Sequence, residues 1–104
     1  MIRNSLSGKQ KRFLRAMGVE TDPVVQIGKE GVTPTVVQAA IEAVKKRELI
    51  KVRVLQNSIM EPAEAIEMLA DRTDSNLVQI IGRNGLLFKR NFDKPKIELP
   101  GKNK

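Results

Sequence analysis

The chain has 104 residues, room for one small domain and one core, and 40% of them are apolar. It contains neither cysteine nor histidine, which excludes a disulfide framework, a thiolate metal site and the commonest general base. Lysine and arginine number 19 against 12 acids, a net of +7; residues 61–74 hold five acids against Arg72, a net of −4, so the remaining 90 residues carry +11. One acidic element on an otherwise basic chain fits a polyanionic partner with one face turned away from it.

In chain order, Leu6 to Met17 reads as a helix capped by Ser5 or Ser7, with Leu6, Gln10, Phe13, Leu14 and Met17 on one face and Gly18 as its stop. Lys9, Lys11, Arg12 and Arg15 lie off that face. Val24 to Ile27 is short, apolar and β-branched, a buried strand. Gly28 to Val32 is a loop. Thr33 can cap the next helix, with Pro34 at its first position and Val37, Ala40, Ile41 and Val44 as its stripe. Lys45-Lys46-Arg47 end it, where cations suit a helix C-terminus. Leu49 to Leu55 alternates, with Ile50, Val52 and Val54 on one side and Lys51 and Arg53 on the other. A third helix runs from Glu61-Pro62 to about Arg72, Ile66, Leu69 and Ala70 inward and the acids outward. Leu77–Ile81 and Leu86–Arg90 are strands joined by Gly82-Arg83-Asn84-Gly85, with Asn-Gly as the tight turn. Residues 100–104 read as a disordered basic tail.

This α-β-α-β-α-β-β order predicts a single α/β domain over 1–99, with a mixed four-stranded sheet and packed helices. Helical crossovers make the first three strands parallel, and the hairpin adds an antiparallel one. The C-terminal ends of the parallel strands share one edge, where ligands of open α/β sheets bind. That edge carries the Gly28–Gly31 loop, and connectivity points the N-terminal end of the first helix, with Lys9 and Arg12, toward it. Glycine lets backbone approach an anion, and a helix start offers free N–H groups. The G-x-x-G spacing is neither a P-loop nor a dinucleotide fingerprint, but is the pattern with which KH-type domains clamp a nucleic-acid backbone. A plain strand-to-helix turn explains the same residues, and Glu30 sets a carboxylate in the loop. With Phe13 in the core, few aromatics remain for stacking, so backbone and shape recognition is expected over base reading.

"LSGKQKRFLRAMG", "PVVQIGKEGVTPTVVQAAIEAVKKRELIKVRV" and "LVQIIGRNGLLFKR" resemble the CRM domain, the chloroplast RNA splicing and ribosome maturation family, in its stand-alone bacterial YhbY-like form, over about Leu6 to Leu99. The resemblance implies a fold similar to the C-terminal domain of translation initiation factor three, RNA binding, and association with precursors of the large ribosomal subunit. It places the family's loop on Gly28, Lys29 and Gly31 and its basic helix on Lys9, Lys11, Arg12 and Arg15; Arg83 and Arg90 join them as further candidates. Where the family's hairpin often ends in Leu-Tyr-Arg, this chain has Leu87-Phe88-Lys89-Arg90, so Phe88 is expected to pack. No catalytic residue, metal or cofactor is expected. The expected state is a cytoplasmic monomer whose partner is large-subunit rRNA or a pre-ribosomal particle, with ribosomal proteins as further contacts and no membrane. The alternative is a protein-interaction module docking on an acidic or ribosomal protein.

Overall fold

The computed structural model describes residues 6–101. Within them run α1 (Gly8–Val19), β1 (Pro23–Ile27), α2 (Pro34–Arg47), β2 (Leu49–Val54), α3 (Pro62–Thr73), β3 (Asn76–Ile81) and β4 (Asn84–Phe88), the expected order in one α/β domain. The sheet order is β1-β2-β4-β3. β1 pairs parallel with β2, and β4 is antiparallel to both β2 and β3. The first three strands therefore share a direction, but the returning strand inserts between β2 and β3. The residues of β4 explain the insertion. Leu87 faces one core while Leu86 and Phe88 face the other, and all three are buried. A strand apolar on both sides belongs inside a sheet.

α2 and α3 cover one face of the sheet, over Val25, Ile27, Ile50, Val52, Val54 and Leu87. α1 and the C-terminal segment cover the other, where Leu14 meets Leu49, Val78, Leu86 and Phe88, with Leu6, Ile97 and Leu99 beside them. The caps follow local chemistry. Thr33 accepts the Val36 N–H at the start of α2, and Pro34 needs no partner there. Ser7 and Gln10 form a reciprocal capping box at α1, each bond 3.1 Å long. Gln10 then uses its amide to hold the Pro100 carbonyl at 2.9 Å. Residues 102–104 and the alternative cap Ser5 lie outside the described residues.

Two local expectations are corrected. Gly18 does not stop α1. It is buried within the helix, because a Cβ there would collide with Leu86 Cδ1. This close approach centres the buried face on Gln10, Leu14 and Gly18, and leaves Phe13 and Met17 on the flank at 39% and 38% exposure. The hairpin turns on Gly82-Arg83, not Asn84-Gly85. Ile81 pairs with Asn84, and Gly82 takes the positive φ of +58° at the first central position, as in type II′ turns. Gly85 lies in β4, where the Ile66 side chain occupies the space of its missing Cβ.

Candidate nucleic-acid interface

At the predicted edge the Gly28–Gly31 loop, the loop after β2 and the Gly82-Arg83 turn are stitched together. Leu55 N–H donates to the Ile27 carbonyl at 2.9 Å, and Ile59 N–H to the Lys29 carbonyl at 3.2 Å. Gly28 to Gly31 is a turn closed by Gly31 N–H on the Gly28 carbonyl at 3.0 Å. Its two glycines differ. Gly31 is buried with φ +77°, and a Cβ there would sit 2.8 Å from Met60 Sδ, so the fold requires this glycine. Gly28 has no positive φ, and a Cβ would meet only Leu55 Cδ1 at an ordinary 3.8 Å. The fold therefore leaves Gly28 free to be larger. Lys29 and Glu30 between them are both exposed. Thr33 and the first turn of α2 follow directly.

The candidate cations divide. Arg83 sits on the edge but is committed to the fold: its Nε donates to the Val54 carbonyl at 2.8 Å and its Nη2 to the Leu55 carbonyl at 2.7 Å. It holds the hairpin against the end of β2. Arg15 borders a depression between α1 and the sheet together with Lys51, Gly18, Val19, Ile81 and Asn84. The C-terminal end of α1 therefore lies toward the hairpin turn, opposite to the direction inferred from connectivity. β1 begins level with Lys51, midway along β2, so the chain leaving α1 need not reach the far edge. At the other end of α1, Gln10 meets the C-terminal segment at Pro100. Lys9, Lys11 and Arg12 thus run away from the hairpin turn, and Arg15 is the α1 cation beside it.

Arg90 lies at the opposite edge of the sheet, beyond the end of β4. Its Nη1 meets Glu48 Oε2 at 3.3 Å and the Ile97 carbonyl at 2.8 Å, and its guanidinium lies over the buried Phe88 ring, 5.6 Å from the centroid. Phe88 packs as expected. Glu48, which the sequence reading passed over, is the hub of this edge. It is fully buried, ends α2 at φ +66°, and accepts backbone N–H groups from Asn91 at 2.7 Å and from Lys96 and Ile97 at 2.8 Å each. Burial works to raise its carboxyl pKa. The three N–H groups and the Arg90 charge outweigh that and hold it below the ordinary range. A glutamate between a basic helix end and an apolar strand was the only signal in the sequence.

The loop edge is thus a backbone turn with an exposed lysine, a glycine the fold does not need, and a helix start. The CRS1 / YhbY (CRM) domain family matches residues 6–89. The Bacillus subtilis protein named as the probable RNA-binding protein YqeI is 43% identical over 95 residues, 91% of this chain and 99% of that protein. A Haemophilus influenzae protein named as an RNA-binding protein is 35% identical over 98 residues, 94% of this chain and 98% of that one. The solution structure of a hypothetical protein from Staphylococcus aureus superposes with a TM-score of 0.77 at 41% identity, covering 92% of this chain and all of that one. With the matched span reaching from α1 through β4, this chain belongs to the CRS1 / YhbY (CRM) domain family.

Proposed function

We propose that this protein binds structured RNA by its phosphate backbone, at the Gly28–Gly31 loop and the start of α2. The observation that carries the reading is Gly28. A small residue that packing does not demand stands next to an exposed lysine and a capped helix start. Phosphate would rest on the backbone of Gly28 and Lys29, with the Lys29 ammonium as a point charge and the α2 dipole behind it. Arg15 and the half-buried Lys51 extend positive charge along the α1 side of the sheet, and Lys9, Lys11 and Arg12 continue it along the helix. Arg83 acts by holding the loops together, and Arg90 by holding the far edge. The chain's net charge of +7 and the names of its relatives support RNA as the polyanion.

Within that reading we place the protein in the cytoplasm as a non-enzymatic assembly factor on precursors of the large ribosomal subunit, which the family resemblance implies. Sedimentation of lysate on a sucrose gradient, with and without gentle RNase, tests this. Migration with particles just lighter than the mature large subunit, lost on RNase treatment, is the expected result. Migration as free protein at low salt, unchanged by RNase, would sink the assembly role. Migration with a protein complex that survives RNase would favour docking on an acidic or ribosomal protein instead.

A further inference from the structure

The far edge of the sheet carries a second basic surface. α2 ends there in Lys45, Lys46 and Arg47, all exposed. A helix dipole alone accounts for cations at that position. It does not account for Lys94 and Lys96, which the C-terminal segment brings to the same place, also exposed. The convergence is built from inside. Asn91 donates its side-chain amide to the Lys45 carbonyl and accepts the Lys94 N–H, each at 3.1 Å, while Glu48 accepts the Lys96 N–H at 2.8 Å. Arg90 answers the charge of Glu48, and Lys89 faces Asp74 at 4.0 Å. Among the described residues, none of Lys45, Lys46, Arg47, Lys94 and Lys96 makes an ion pair.

Beside these cations lies a hollow of about 320 Å³ whose lining includes Ile41, Val44, Lys45, Phe92, the paired Arg90 and one acid, Asp93. Phe92 stands at it with 75% of its surface exposed. An exposed aromatic ring at the hollow, with Lys45 on its lining and the other unpaired cations on the same edge, suits an unpaired nucleotide: the base stacks while its phosphates meet the ammonium groups. Duplex RNA offers phosphates but no free base face. An acidic peptide offers charge, and uses the ring only where an apolar side chain stands among its acids.

We propose that this edge binds single-stranded RNA, with a base against Phe92 and the flanking phosphates on Lys45, Lys46, Arg47, Lys94 and Lys96. The inference rests on the RNA reading above but uses none of its contacts. β2 has six residues and so sets about 20 Å between the two edges. One molecule could then hold a structured segment on its loop edge and an adjoining unpaired strand on the other.

The chain has no tryptophan or tyrosine, so Phe92→Trp introduces a single indole reporter. A short single-stranded RNA should quench its emission, and a blunt duplex at equal nucleotide concentration should not. Adding Lys46→Glu and Lys94→Glu to that background should weaken the single-strand quench about tenfold or more while duplex binding, read by filter retention, is kept. Adding Lys29→Glu instead should leave the quench intact; its loss there would place the oligonucleotide on the loop edge and overturn the proposal. Equal quenching by duplex, no quenching despite single-strand retention on the filter, or stronger quenching by polyglutamate would each overturn it, the last in favour of an acidic protein partner. If Lys29→Glu left duplex binding unchanged, the loop reading would fail, and the quench would still decide the far edge.

Discussion

Replacing Glu48 by glutamine isolates what its charge does, because the amide has the same shape and inherits the same φ of +66°. The carboxylate now serves three backbone N–H groups and one guanidinium in a site with no solvent access. Glutamine can accept on one atom only. Its NH₂ then confronts either Lys96 and Ile97 or Asn91 and Arg90. Orphaned buried donors cost about 1–3 kcal/mol each, and losing one member of a buried ion pair costs about 3–5 kcal/mol in all. Release of the 89–97 segment would cap the loss, so about 3 kcal/mol is expected, a large part of the roughly 5–15 kcal/mol of a small domain. Urea titration followed by circular dichroism measures it as a lowered midpoint. The pH dependence gives a second handle. Glu48's folded pKa lies below its ordinary, unfolded value, so its stabilisation is complete above the unfolded pKa and is lost as pH falls through the folded one. The difference between wild type and Glu48→Gln should therefore shrink in acid. Equal stability at neutral pH, within about 0.5 kcal/mol, or a gap that persists in acid, would refute the hub.

Three further substitutions separate fold from interface. Gly31→Ala should destabilise by about 1–3 kcal/mol, through its φ of +77° and its clash with Met60, whereas Gly28→Ala should leave the melting temperature unchanged or slightly raised and still weaken RNA retention on a filter. Gly18→Ala tests α1. Alanine within a helix normally gains about 1 kcal/mol over glycine, but the collision with Leu86 should reverse the sign and cost about 1–3 kcal/mol in a thermal melt. Arg83→Ala should lower stability by about 1–3 kcal/mol by removing two charge-assisted bonds, to the Val54 carbonyl and to the Leu55 carbonyl that also accepts the Ser58 N–H, while the salt slope of RNA binding stays at the wild-type value.

The order of elements was legible because the three helices and β2 carry clean periods, and because Thr33, Pro34 and Pro62 mark helix starts. The glycine loop was legible as a loop. That Gly31 serves packing and Gly28 does not depends on Met60, which is remote in sequence and close in space. The place of β4 was readable in principle. Gly85-Leu86-Leu87-Phe88 lacks the polar alternation of Leu49–Val54, and that contrast distinguishes a central strand from a half-covered one. The face of α1 was misread because a glycine that permits close packing looks, in sequence, like a glycine that ends a helix. Phe13 reads as core for the same reason, and that reading leaves few aromatics for stacking. Glu48 and Arg90 lie 42 positions apart, and nothing local announces that one neutralises the other. Where Phe92, Lys94 and Lys96 sit was not legible, because their segment is anchored by that same distant carboxylate.

Phosphate on the Gly28–Gly31 loop is tested by the salt dependence of binding to a structured RNA, measured for the wild type and Lys29→Glu. Each phosphate contact contributes about 0.7–0.9 to the slope of log affinity against log salt. Lys29→Glu should bind more weakly to every structured RNA tried, with a slope about one unit flatter. Affinity and slope equal to the wild type would contradict it and move the interface off this edge.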